Sequence, residues 1–460
     1  MSRSDIIAAI STPPGKGGVA VIRVSGKGAI ALAKKIFLPF SRRSVTDYPP
    51  RVQIYGYITD GSRTIDDGML TYFKEGASYT GEQTLEISCH GGILITELVL
   101  STVLAAGARV AEAGEFTRRA FLSGKLSLSD AEAIGLLLEA RSEEQIALAG
   151  KDSRALLDAK IGEISGKITE LLASVYARID YPDEDLGDYT DEEMLEMLKR
   201  IGSELDSLIA TYKTGHSIAE GISTAIIGEP NVGKSSIYNL LCGRDAAIVT
   251  DIAGTTRDLL EETVTLGKVT LRLADTAGIR DTALCDTVER IGIERSMARL
   301  GDCELLLAVF DAEKGEAETP LFSEAKSATA KIAIYNKIDK TDGKFTPVCP
   351  VGFDSAIGIS ATASPREARE AILSAVEALF IDGRISIGSD AIVSSARQRA
   401  ELLEARAAIS AAIDAIASGV PSDAVSSDAE IALGALARID GRAVSESVVG
   451  NIFSRFCVGK

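Results

Sequence analysis

An octapeptide near the middle of the chain, GEPNVGKS at residues 228–235, constrains the local fold more than any other feature of the sequence. Its GxxxxGK(S/T) pattern uses glycines so that backbone N–H groups can point inward at phosphate oxygens. The lysine neutralises the β- and γ-phosphates, and the hydroxyl residue can ligate Mg²⁺. Residues 224–227 before it are strand-like and residues 236–242 after it are helical. The order strand, phosphate loop, helix is therefore predicted, with Asn231, Val232, Gly233, Lys234, Ser235 and Ser236 around a nucleotide and Ser235 on Mg²⁺.

Three further elements follow in the order such a domain requires. The tetrapeptide Asp275, Thr276, Ala277, Gly278 ends a strand-like run, so its carboxylate can hold the Mg²⁺ shell while the Gly278 N–H approaches the γ-phosphate. Thr255 and Thr256 lie between the helix and the next strands, where Thr256 can reach Mg²⁺ once GTP orders the loop. Asn336, Lys337 and Asp339 form an NKID motif after the strand-like residues 331–335. A carboxylate at Asp339 accepts from guanine N1–H and the exocyclic amine, whereas adenine would leave it unpaired. Ser360, Ala361 and Thr362 supply backbone for the base. These residues read as a GTPase domain. In Ras-like enzymes a glutamine after the DxxG glycine orients the attacking water and an arginine offsets transition-state charge. Here that position is Ile279, which cannot hold water, so Asp281, Asp286 or Glu289 is needed for water, and Arg257, Arg280 or a bound cation for charge.

Around this motif the chain of 460 residues divides by pattern. Residues 1–121 are Gly-rich with short β-branched runs at 19–24 and 52–58, which predicts an α+β domain. Apolar residues at Leu157, Ile161, Ile164, Ile168, Leu171 and Val175 then mark one stripe of a helix. From residue 216 to 388 strand-like and helix-like runs alternate, as in a mostly parallel α/β sheet with a hairpin turn at Gly267-Lys268. The helical pattern returns after Ser394. The expected domains are 1–121 (α+β), 122–215 (helical), 216–388 (α/β, inserted) and 389–460 (helical).

The formal net charge of −17 argues against uniform coating of nucleic acid. Residues 1–121 nonetheless carry 14 basic against 11 acidic side chains, so an anion site there is compatible. The six cysteines form no CxxC pair and the only histidines are His90 and His216, which gives no support to a zinc or disulfide framework. No run free of charge approaches the ~18 residues that span a bilayer, so no membrane association is expected and a reduced, cytoplasmic setting is.

The motifs together resemble the tRNA-modification GTPase MnmE (TrmE) family: TPPGKGGVAVIRVSG at 12–26, SYTGEQTLEISCHGG at 78–92, GEFTRRAFLSGK at 114–125, the phosphate loop, DIAGTTRD at 251–258, DTAGIR, VERIGIERS at 288–296, NKID and the FCVGK end at 456–460. The resemblance implies a multidomain fold: an N-terminal α+β folate-binding domain, a discontinuous α-helical domain and an inserted α/β P-loop (Ras-like) G domain. It also implies a homodimer through the N-terminal domains and a flavoprotein partner, MnmG (GidA), in a heterotetramer. The pair would install an aminomethyl or carboxymethylaminomethyl group at C5 of the tRNA wobble uridine. The carbon would come from 5-formyl- or 5,10-methylene-tetrahydrofolate. By motif, Asn231, Thr250, Ile252 and Thr255 would hold K⁺. Residues Thr250, Asp251, Ile252, Ala253 and Gly254 would line the nucleotide, and Glu289 would orient water. Arg23, Glu82, Lys125 and Lys460 fall on the family's folate positions, and Cys457 is a candidate catalytic thiol. The chain departs from the family at Gln83, Ala113 and Val458, and in a longer spacing between DTAG and VERIG. Two other readings remain open: a regulatory G protein that assembles RNA without covalent chemistry, and a nucleotide-gated dimerisation module.

Overall fold

The computed structural model describes residues 5–180, 189–243, 262–273, 303–314, 328–341, 345–420, 422–442, 446–454 and 456–459. Two compact units emerge, one of residues Met1–Gly135 with Ala437–Lys460 and one of Leu136–Leu436.

In the first unit the strands are β1 (Ile7–Ile10), β2 (Val19–Ser25), β3 (Phe37–Pro39), β4 (Ile54–Thr59), β5 (Thr64–Phe73), β6 (Thr84–His90) and β7 (Arg109–Val110). They form one sheet in the order β3-β4-β5-β6-β2-β1-β7. Alternation in β2 sends Ala20, Ile22 and Val24 inward. There they join Leu70, Leu85 and Ile87 in a core that includes Ala29 and Leu32 of the helix Ala29–Ile36 and Val99 and Val103 of the helix Ile93–Ala105. The odd residues of β1 point the other way, so Ile7 and Ala9 pack with Ala111 and with Phe116 of the helix Glu115–Leu122. The end of the chain belongs to this unit. Val449 and Phe453 of the helix Glu446–Ser454 pack with Leu128 and Ala131. Val458 then bridges Ala113, and the Ser11 hydroxyl donates to the Gly459 carbonyl at 3.0 Å. Gly459 has φ 103°, and a Cβ there would lie 2.2 Å from the Ile10 carbonyl oxygen, so only glycine lets the tail lie this close.

The second unit joins helices to a second sheet. The helix Lys151–Asp180 buries the stripe Leu157, Ile161, Ile164, Ile168, Leu171 and Val175. The helix Asp191–Ala210 starts at a reciprocal cap, where the Thr190 side chain accepts from the Glu193 amide and Glu193 accepts from the Thr190 amide. It packs against the helix Ala396–Ala417, so chain on either side of the second sheet meets in one helical layer. The sheet comprises β8 (Ile222–Gly228), β9 (Glu262–Leu266), β10 (Val269–Leu273), β11 (Leu305–Asp311), β12 (Ala330–Asn336) and β13 (Ser355–Gly358). Its order is β13-β12-β11-β8-β10-β9, parallel except for the β9–β10 hairpin turned at Gly267 and Lys268. The continuous apolar run LLLAVF in β11 suits a central strand with both faces covered. The last strand, Ser355–Gly358, is followed by the Ile359 amide, which donates to the Tyr335 carbonyl at 2.8 Å.

Candidate functional site

The phosphate loop leaves the C-terminal end of β8, a strand held between β11 and β10, and opens the helix Lys234–Leu241. That is the crevice where parallel sheets bind ligands. Gly233 caps the helix with φ 104° and no side-chain bond, so the first amides of the helix remain available to an anion. A Cβ on Gly233 would stand 2.1 Å from Asn336 Nδ2. Glycine is needed for both reasons. Lys234 Nζ donates to the Gly228 and Glu229 carbonyls at 2.9 and 2.7 Å. Burial pulls its ammonium below the ordinary lysine range, and the Glu229 charge opposes this only in part. Phosphate oxygens would supply the anionic partner that burial makes the lysine lack. Ser235 is exposed and Ser236 half-buried in the first helical turn.

The NKID segment braces this loop. Asn336 is 3% exposed; its Nδ2 donates to the Val232 carbonyl at 3.0 Å and its Oδ1 accepts from the Ala361 amide at 3.1 Å. One side chain thus ties the phosphate loop to the Ser360–Ala361 loop. Lys337, with φ 68°, donates from Nζ to the Asn231 carbonyl at 2.6 Å and to Asp311 at 2.7 Å. Asn231 is itself left-handed, φ 67°. Two non-glycine residues in that sparse conformation are therefore joined by one ammonium. The Ser360 hydroxyl donates to Asp339, which fixes the carboxylate proposed for guanine. Thr362 is exposed beside it. Asp311 belongs to none of the sequence motifs. Although burial raises its pKa, the Lys337 bond outweighs that and holds the carboxyl below the ordinary value. A charge ending an otherwise apolar strand was the available signal, since β pairing sets Asp311 opposite Asn336.

A second cluster lies in the first unit. Arg23 donates through Nε and Nη2 to Glu86 at 3.0 and 2.9 Å, and its guanidinium stands over the Tyr79 and Phe116 rings at 5.5 and 5.9 Å. Two residues further along β2, Ser25 donates to Glu82 at 2.8 Å. Lys125 reaches the Gly76 carbonyl, and a Cβ on Gly81 would lie 3.5 Å from its Cγ. The fold therefore brings Arg23, Glu82 and Lys125 into one neighbourhood. Glu82 is also gripped by Arg119, whose Nη1 lies 3.0 and 3.2 Å from the two carboxylate oxygens. Arg119 Nη2 donates to Asp5 and Glu115, each at 2.9 Å. Arg109 donates to the same two acids at 2.6 to 2.8 Å. Burial would raise the Glu115 pKa, but the bonds from Arg109, the Glu112 amide and Arg119 hold it down. None of Asp5, Arg109, Glu115 and Arg119 was singled out, because they are scattered in sequence and only the fold assembles them.

Cys457 is exposed, and its carbonyl accepts from the Gly114 amide at 3.4 Å. Cys89 is the contrasting case: burial, reinforced by Asp66, pushes its thiol up to about 11. Thr250, Asp251, Ile252, Ala253, Gly254, Thr255, Thr256, Asp275, Thr276, Ala277, Gly278, Glu289 and Lys460 lie outside the described residues, as do Arg257, Ile279, Arg280, Asp281 and Asp286.

Residues 6–125 match the family GTP-binding protein TrmE N-terminus, and residues 128–457 match the MnmE helical domain. The tRNA modification GTPase MnmE of Clostridioides difficile is 37% identical over 99% of this chain and 99% of that protein. The protein of the same name from Moorella thermoacetica is 39% identical over the same shares. Among solved structures, a variant of Aquifex aeolicus Era bound to GDP.AlF4- is 23% identical over 41% of this chain and 66% of that one, with a TM-score of 0.24. Near 40% identity along nearly its whole length, with both family matches in register, the chain belongs to the MnmE (TrmE) family of tRNA modification GTPases.

Proposed function

We propose that the chain is a K⁺-activated GTPase that hydrolyses GTP to GDP and, with an FAD-containing partner of the MnmG kind, helps to install an aminomethyl or carboxymethylaminomethyl group at C5 of the tRNA wobble uridine. The observation that carries the GTPase reading is the brace of Asn336 between Val232 and Ala361, with Asp339 fixed by Ser360. It joins the phosphate loop to a guanine-reading carboxylate in one rigid piece. Lys234 and the open amides after Gly233 would hold the phosphates. Ser235, exposed at the helix start, suits Mg²⁺, with Thr256 completing the pair. Asn231, Thr250, Ile252 and Thr255 would hold K⁺, which when bound supplies the positive charge that an arginine supplies elsewhere. Glu289 would orient the attacking water.

In the first unit, Arg23, Glu82 and Lys125, with Lys460, would bind 5-formyl- or 5,10-methylene-tetrahydrofolate. The partly exposed Tyr79 ring beside Arg23 and the carboxylate of Glu82 suit a flat heterocycle with N–H donors. Cys457, exposed at the tail, is the candidate nucleophile. The domain limits 1–121, 122–215, 216–388 and 389–460, the homodimer through the first of these, and a cytoplasmic setting belong to the same proposal.

GTP turnover measured in KCl and then in NaCl tests the cation. A marked rise in K⁺ is expected, and equal rates would sink it. Mass spectrometry of wobble nucleosides from cells lacking the chain tests the tRNA role; unchanged nucleosides would exclude it.

A further inference from the structure

We propose that Arg119 is the positioning residue that aims Glu82 at the exocyclic amine of a 2-aminopteridine, and that Arg119 and Ser25 together make the site prefer that ring over one lacking the amine. The inference rests on the reading of Glu82 as a folate residue and adds what makes that carboxylate selective.

A glutamate on a loop rotates about three side-chain bonds, and a carboxylate that rotates has no preferred acceptor direction. Here the directions are used up one by one. Oε2 accepts from Arg119 Nη1 at 3.0 Å and from Ser25 Oγ at 2.8 Å. Oε1 accepts from Arg119 Nη1 at 3.2 Å. A carboxylate offers about four acceptor positions. The position left over is on Oε1, and the side chain is still 23% exposed, so a ligand donor can reach it. Neither holder can give way. Ser25 is fully buried and its hydroxyl also meets Thr80 Oγ1 at 2.7 Å. Arg119 has a 12% exposed side chain, with Nη1 on the Asp5 carbonyl at 3.0 Å and Nη2 on both Asp5 and Glu115, acids that Arg109 holds from the far side. A lysine could keep the charge at this position but could not reach all of these acceptors with one planar fork.

Calorimetry on the full-length protein with 5-formyltetrahydrofolate and its 2-desamino analogue reads this selectivity as a ratio of dissociation constants, which a loss of folded protein alone does not change. Wild type is expected to prefer the amine by about 10- to 100-fold, the range of one hydrogen bond to a charged group. Glu82→Gln and Arg119→Lys should both lower the ratio to within a few-fold of one. If Arg119→Lys melts cooperatively and keeps the wild-type ratio, the positioning role is wrong. If that variant does not fold, Ser25→Ala carries the test, and an unchanged ratio there overturns the proposal equally. Wild type that binds both compounds equally would overturn it while leaving folate binding intact. Wild type that binds neither would remove the folate reading itself.

Discussion

The two candidate sites reach rigidity by opposite means. Around the phosphate loop the braces are mostly bonds to backbone: Asn336 reads one carbonyl and one amide, and Lys234 and Lys337 rest on carbonyls. Around Glu82 the braces are charges, with two arginines and three carboxylates sharing one network. A site for phosphate needs donors that stay neutral and close-packed, which backbone amides supply without the cost of burying ions. A site that reads a donor needs a fixed anion, and an anion that is half-buried must be paired.

Breaking the first site should have the largest effect. Asp339→Asn removes charged acceptance from guanine, and GTP affinity should fall by roughly 10²- to 10³-fold, consistent with the loss of one or two charge-assisted bonds. Xanthosine triphosphate, which presents a carbonyl where guanine has the amine, should recover part of the loss; titration calorimetry with both nucleotides compares them. Gly233→Ala comes next. Its φ of 104° and the 2.1 Å approach to Asn336 Nδ2 would strain the loop by about 1–3 kcal/mol and push the brace off Val232. A lower melting temperature together with weaker nucleotide binding is expected, and an unchanged melting temperature would show the loop to be more tolerant than its geometry implies.

The ionic site should differ in its response to acid. Although burial alone would raise the pKa of Asp5 and Glu115, bonds from Arg109 and Arg119 leave both below their ordinary values. Groups depressed in this way stabilise the fold above their unfolded pKa and lose that contribution as pH falls toward the folded value. Thermal melts should therefore weaken below about pH 4, and Glu115→Gln should flatten that dependence. Among these effects His90 is the smallest. The Asp66 bond at 2.8 Å raises its pKa, so the proton stays on at pH values where a free imidazole has lost it. Any stability it adds is present at low pH and lost as pH rises through the raised value. An NMR titration should show the shift, and Asp66→Asn should remove it.

The contrast also explains what the sequence made legible. The phosphate loop and NKID could be read because their chemistry demands fixed residue types at fixed spacing on a strand and its following turn. The hairpin was readable from the Gly267-Lys268 pair between two strand-like runs, and the stripe from Leu157 to Val175 through period alone. Arg119 was not, because its work depends on Asp5, Glu82 and Glu115 arriving from the segment before β1, a turn and its own helix. Asp311 escaped for a related reason: its partner Lys337 sits on the neighbouring strand's exit, and parallel pairing carries no local signature.

The bond between Ser11 and Gly459 spans 448 residues of sequence. A ribosome must therefore thread out almost everything between them before the opening strand of the molecule receives its last neighbour. Until then Ile10 and Ser11 lack their contacts with Gly459, and residues 136–436 of the second unit are all synthesised first. A bulky group attached close to Gly459 would burden this contact, and one grafted onto a loop of the second unit would leave it untouched.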